Sequence, residues 1–259
     1  MRLRFSANAG FLWRDLPFVA RIRRAAAAGF DAVEFHDEAQ TADPVELAEA
    51  LAETGLPVCS LNVRMGATAG CAAVPGQGDQ ARRDIDAAAR TAQAAGAAAI
   101  HVLAGVVGAA GDRAAYLAAL RHALARTDRI VLIEPICRAA VPGYFLHDVA
   151  EAAAILDEIG HPRLKLLFDC FHVETESGDA AALFRRHVAA VGHVQIASVP
   201  ERAEPGTARP DYARLLPMMQ AAGYRGAFGC EYRPAAGDGA AGVEAGLGWR
   251  QQMPGAAGG

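Results

Sequence analysis

Eight short apolar runs, each separated from the next by a longer Ala-rich amphipathic stretch, recur along the whole chain. Runs of this length and composition read as buried strands, and an apolar stripe at helical spacing reads as a covering helix. Strict alternation implies a parallel sheet under helices, because a parallel neighbour is reached only through a crossover connection. The predicted strands are Leu3 to Ala7, Ala32 to Phe35, Val58 to Val63, Ala98 to Leu103, Ile130 to Ile136, Leu164 to Asp169, His193 to Ala197 and Ala227 to Tyr232. Between them fall helices predicted over Phe18 to Ala28, Pro44 to Thr54, Gln80 to Ala95, Arg113 to Arg126, Asp148 to Ile159, Ala180 to Ala189 and Tyr212 to Ala222. Gly29, Gly55, Gly96, Gly160 and Gly223 stand just past the helix ends, where a C-terminal cap belongs. Eight such units predict an α/β chain folded as a single (β/α)8 TIM barrel rather than an open doubly wound sheet.

The 259 residues suit one barrel domain, 1–259, with no linker dividing it. A short final helix is expected around Val243 to Arg250, and the Gly-rich stretch from about 254 to 259 is expected to be a flexible tail. Hydrophobic residues at 53% and charged ones at 21% describe a folded globular chain with enough apolar material for a large core. The formal net charge of −4 gives no general attraction to nucleic acid or to an anionic membrane. No stretch approaches the roughly 20 apolar residues of a membrane span. The opening MRLRFSANAG runs into a strand rather than a signal-peptide core, so a cytoplasmic protein acting on a small molecule is expected. Five cysteines, odd in number and without a CxxC pair, suggest neither a disulfide framework nor a zinc knuckle; Cys59, Cys170 and Cys230 read as small buried side chains. Arg21, Arg23 and Arg24, like Arg185 and Arg186, read as solvated helix faces.

The chemistry is concentrated where apolar strands end in a polar group. RIVLIEPI delivers Glu134 after four apolar residues, and a buried carboxylate needs a partner, a metal or a proton. Asp169 closes LKLLFD, Gln195 lies in HVQIA, and Glu231 stands near the end of AFGCEY. These residues are 35, 26 and 36 positions apart, close to one β/α unit each, so strands five to eight each present one oxygen donor to the mouth formed by the C-terminal strand ends. Any one of them alone would read as a loop salt bridge, a helix cap or a satisfied core amide. Together, three carboxylates and an amide suit a hard divalent cation, Mg2+ or Mn2+, better than zinc. His172, expected in the loop beyond strand six, and His101, near the end of strand four, are candidates for substrate binding. His193 lies deeper on the Gln195 face and reads as a packed core histidine. Arg202, just before EPGT (Glu204 to Thr207), is a candidate clamp for a substrate carboxylate.

The opening RFSANAGFLWRDLPFVARIRRAAAAGFDAVEF, followed by AAVPGQ, LIEPI, PGYFL, LKLLFDCFH, GHVQIA, EPGT, GCEYRP and GLGW, resembles the hydroxypyruvate isomerase family over nearly the whole chain. That family belongs to the xylose-isomerase-like TIM barrels and is similar to 2-oxo-tetronate isomerases and, more distantly, to ketose 3-epimerases. The resemblance implies metal ligation by Glu134, Asp169, Gln195 and Glu231, proton transfer by the glutamate pair Glu134 and Glu231, and a role in carbohydrate and glyoxylate metabolism. It also implies hydroxypyruvate as substrate, interconverted with tartronate semialdehyde, and a homo-oligomeric assembly. Gln195 stands where the epimerases generally have His, which favours the isomerase branch. The loops depart from the family pattern. Cys137 replaces the Asn after EPI, FDCFH replaces YDxYH, Val199 replaces an Asn, and HDEAQ, with Asp37 and Glu38, replaces an aromatic or Pro-rich stretch. An epimerase, a dehydratase of the same superfamily and a non-catalytic sugar-acid binder are the rival readings. A DNA-repair endonuclease of this barrel type would need a His-rich multi-metal site and a basic face, which this chain lacks.

Overall fold

A computed structural model describes residues 2–206 and 208–254. Its eight parallel strands are β1 (Phe5–Asn8), β2 (Ala32–Phe35), β3 (Val58–Asn62), β4 (Ala99–His101), β5 (Ile130–Ile133), β6 (Leu164–Asp169), β7 (Val191–Ile196) and β8 (Phe228–Cys230). Each pairs with its sequence neighbour, and β8 pairs with β1 through Phe5↔Phe228, so the sheet closes as a barrel. The expected TIM barrel is therefore the observed fold.

The helices are α1 (Phe18–Ala27), α2 (Pro44–Thr54), α3 (Gly78–Ala94), α4 (Arg113–Arg126), α5 (Val149–Ile159), α6 (Cys170–Ser177), α7 (Ala180–His187), α8 (Tyr212–Ala221) and α9 (Ala240–Gly246). Local signals account for their limits. Asp43, Asp112, Asp148, Asp179 and Asp211 each accept backbone N–H groups at a helix start. Gly55 and Gly160 take the left-handed conformation that closes α2 and α5.

Helix α6 was not expected from the sequence pattern. This eight-residue helix begins immediately after β6 with no turn residue between them, and Asp169 is both the last strand residue and the helix cap, accepting from Phe171 N at 2.8 Å. His172 is therefore fixed on a helix rather than carried by a loop. The final helix starts three residues earlier than expected and passes into a 3-10 turn, Leu247–Gln252. The tail beyond Pro254, and Thr207 of EPGT, lie outside the described residues.

Strand alternation sorts the side chains into two sets. Val33, Leu61, Ile100, Val131, Ile133, Phe168, Val194 and Phe228 point outward and join the helices in one large apolar core. The inward positions form a separate stack. Its floor is a small apolar cluster of Ala99, Leu132 and Leu167, and above it the lumen turns polar. Ser6, Asn8, Glu34, His101, Asp169, His193 and Gln195 are all buried. Among the described residues no helix is long and apolar enough to cross a membrane.

Candidate active site

The four donors expected from the sequence stand at the C-terminal ends of β5 to β8. Asp169 and Gln195 are register partners on β6 and β7, and Gln195 pairs in register with Gly229 of β8. Glu134 and Glu231 stand one residue beyond the last residues of β5 and β8. The ladder stops short of both, and after Glu134 comes Pro135, which has no N–H to continue it. The two glutamates are thus freed from the sheet yet remain buried.

Glu231 is the best-supplied of the three carboxylates. One oxygen accepts from Asn8 Nδ2 and lies 3.0 Å from His36 Nε2; the other pairs with Arg202. Burial pushes its carboxyl up, but Arg202 and His36 outweigh burial and bring it down to about 2. Asp169 accepts from Arg202 at 2.9 Å, yet burial holds it up at about 7. Glu134 has no such support. The Nε2 atoms of His101 and His172 are each 3.7 Å away, and its Oε1 has no hydrogen-bond partner. Burial, together with repulsion from Glu231 and Asp169, drives its carboxyl well above the usual range. The mouth therefore holds two glutamates whose proton affinities are pushed in opposite directions, Glu231 down and Glu134 up.

Arg202 does not stand free as a clamp. Its guanidinium bridges Asp169 and Glu231 and is sandwiched between the rings of Phe11 and Phe171, 4.8 and 4.9 Å from their centroids. It neutralises part of the acidic cluster. His172 presents Nε2 3.6 Å from Asp169, and its Nδ1 lies 3.2 Å from Cys137 Sγ, so the residue after EPI orients this ring. His101 packs Nδ1 against Asn62 Oδ1 at 3.1 Å and leaves Nε2 buried and unpartnered. Burial lowers His101 to about 3 and His172 well below its ordinary value, so both rings are neutral at neutral pH.

The donor set fits a hard cation. Glu134 Oε1 and Gln195 Oε1 are buried acceptors without a partner. Glu134, Asp169 and His172 bring one ligand atom each to within 4.8 Å of one another. Unpaired oxygens in a carboxylate-rich lumen are costly unless a positive group meets them.

Asn8, Glu34 and His36 also reach this lumen, without having been expected from the sequence. Glu34 carried the signal that exposed Glu134, a lone charge inside an apolar strand, here FDAVEF. His193, by contrast, packs in the lumen as expected, 2.6 Å from Glu34. The altered loops have structural work. Asp37 accepts from Met65 N, tying the loop after β2 to the loop after β3, and Glu38 faces Arg21 at 3.8 Å. Glu204 accepts from Ala235 N and joins the loops after β7 and β8. Beside His36 and Phe11 lies a cleft of about 580 Å³, also lined by Arg14 and Arg233.

Comparison with known proteins agrees with this architecture. The family model described as xylose isomerase-like TIM barrel matches residues 22–253. A 2-oxo-tetronate isomerase from Cupriavidus necator is 40% identical over 257 residues, covering 95% of this chain and 96% of its own. A putative hydroxypyruvate isomerase from Homo sapiens is 39% identical over 251 residues, covering 90% of each chain. A crystal structure from Brucella melitensis, described as an AP endonuclease of family 2, superimposes with a TM-score of 0.89 at 31% identity over 96% of this chain and 98% of that one. With these matches spanning nearly its whole length and a closed eight-stranded barrel behind them, the chain belongs to the xylose isomerase-like TIM barrel family.

Proposed function

We propose that this protein is an intramolecular oxidoreductase that interconverts the keto and aldehyde forms of a small hydroxy acid, with hydroxypyruvate and tartronate semialdehyde as the pair. The observation that carries the proposal is the contrast between Glu231, held ionised by Arg202 and His36, and Glu134, left without a partner in the same mouth. Two carboxyls whose surroundings push their proton affinities apart are the usual arrangement for acid–base work.

The reaction moves one hydrogen from C3 of hydroxypyruvate to C2 and one proton from the C3 hydroxyl to the C2 oxygen. Glu231 takes the C3 proton, giving an enediolate. Glu231 then returns that proton to C2 from a single face, because Glu134 would give up its own proton on ligating the cation. His101, neutral and with Nε2 free, exchanges the hydroxyl proton between neighbouring oxygens. Glu134, Asp169, Gln195 and Glu231 would hold Mg2+ or Mn2+, and Asp169 and Glu231 would do so in competition with Arg202. When bound, such a cation supplies the positive charge that the enediolate oxygens require. The low exposure of the carboxylates keeps water from competing for these contacts.

A four-carbon 2-oxo acid is the second substrate to test, because the Cupriavidus necator relative carries the name 2-oxo-tetronate isomerase. The net charge of −4 disfavours DNA as a substrate despite the name of the Brucella structure. The test is proton NMR of hydroxypyruvate in D2O with chelated protein, before and after Mn2+ or Mg2+ is restored. Metal-dependent growth of tartronate semialdehyde supports the proposal, and Glu231→Gln should then be slower by about 10²–10⁴-fold. Exchange of deuterium without any carbonyl shift would replace isomerisation with epimerisation.

A further inference from the structure

Below the mouth, Glu34 is fully buried in the lumen and every one of its hydrogen-bonding partners is identifiable. Oε1 accepts from Asn8 Nδ2 at 3.0 Å and from Gln195 Nε2 at 2.9 Å. Oε2 accepts from Ser6 Oγ at 3.1 Å and lies 2.6 Å from His193 Nε2. An ionised carboxylate only accepts, so each group facing it must donate. The consequence for Gln195 is definite. Its NH2 end is committed to Glu34, and its oxygen must point the other way, which is where Oε1 is found buried without a partner. Asn8 extends the same constraint to the end of the neighbouring strand β8, because its Nδ2 also donates to Glu231 Oε1 at 3.0 Å while its Oδ1 accepts from Gly10 N. The chain also reserves room for the network. A Cβ on Gly229 would lie 2.5 Å from Glu34 Oε2 and 2.8 Å from Gln195 Cγ.

We infer that Glu34 is the positioning residue of the active site: it fixes which end of the Gln195 amide faces the mouth and, through Asn8, where Glu231 stands. This inference rests on the reading of the mouth as a cation site. Glu34 meets neither cation nor substrate itself; it acts by removing the freedom of two groups that do. Removing it by Glu34→Met leaves the donors of Asn8, Gln195 and His193 unmet and lets the Gln195 amide turn its NH2 end toward the mouth.

Mn2+ affinity, measured by electron paramagnetic resonance on chelated protein, tests this without reference to turnover. Glu34→Met should weaken binding by about 10–100-fold, the usual effect of losing a group that orients a ligand. Glu34→Gln, whose oxygen can still accept from Asn8 and Gln195, should stay within a small factor of the wild type. In a Gln195→Ala background most of the Glu34→Met effect should vanish, since the amide it orients is gone. A folded Glu34→Met protein with wild-type affinity, or an undiminished loss in the Gln195→Ala background, overturns the inference. If Glu34→Met does not fold, Gly229→Ala presses a methyl group onto the same two side chains and must weaken Mn2+ binding; unchanged binding overturns the inference equally. Wild-type protein that binds no Mn2+ refutes the cation site itself, and the positioning role falls with it.

Discussion

Glu134→Gln should leave the metal-free protein more stable than the wild type, by an amount that grows with pH. Glu134 makes no hydrogen bond at Oε1, and the nearest imidazole nitrogens, at 3.7 Å, belong to neutral rings, so an amide of the same shape loses little. What it removes is a buried charge repelled by Glu231 and Asp169. The sign follows from the direction of the shift. The folded-state pKa is raised above its unfolded value, so the native protein retains a proton that the unfolded chain has released. Wild-type stability is full below about pH 4.5 and declines as pH rises toward the folded pKa. Between those limits one proton separates the two states, which amounts to about 1.4 kcal/mol per pH unit. For a chain of this size, about 2–4 °C per kcal/mol makes the melting-temperature gap widen by about 3–6 °C per pH unit. The assay is thermal unfolding of chelated wild type and Glu134→Gln from pH 4.5 upward, with the difference plotted so that titrations remote from the mouth cancel. A gap independent of pH, or a wild type that gains on the variant as pH rises, would refute the reasoning. Restoring Mn2+ should reverse the order, because only the wild type keeps the full ligand set.

Two further outcomes follow from the same charge pattern. Arg202→Met strips Asp169 and Glu231 of their buried counter-charge and should destabilise the metal-free protein by about 3 kcal/mol; by removing a competing cation it should also tighten Mn2+ binding, so calorimetry showing weaker binding would exclude competition. Asp169, held at about 7, and Glu134, held higher than usual, must lose their protons to ligate. Mn2+ added to unbuffered protein near pH 6 should therefore acidify the solution, and affinity should rise with pH through 7 by up to about tenfold per unit for each proton displaced; affinity flat across that range would contradict the protonated resting site.

Periodicity is local, so the barrel could be read from the order of residues alone. Apolar runs and amphipathic stretches state their own conformation, and eight of each leave few ways to close a sheet. The same pattern exposed Glu134, Asp169, Gln195 and Glu231, because a polar group at the end of a buried strand is conspicuous wherever the strand goes. What the chain order could not convey was partnership. Arg202 as a neutralising group between two phenylalanine rings, Asn8 joining Glu34 to Glu231 across 223 positions of sequence from Glu231, and His36 beside Glu231 depend on strands that meet only when β8 closes onto β1. Helix α6 stayed hidden for a related reason: its start is set by a strand residue that doubles as its cap. Sequence alone determined that Glu134, Asp169, Gln195 and Glu231 would end buried strands; the closed barrel decided which charges would have to share one small, dry space, since electrostatic interactions depend on distance and burial rather than on position along the chain.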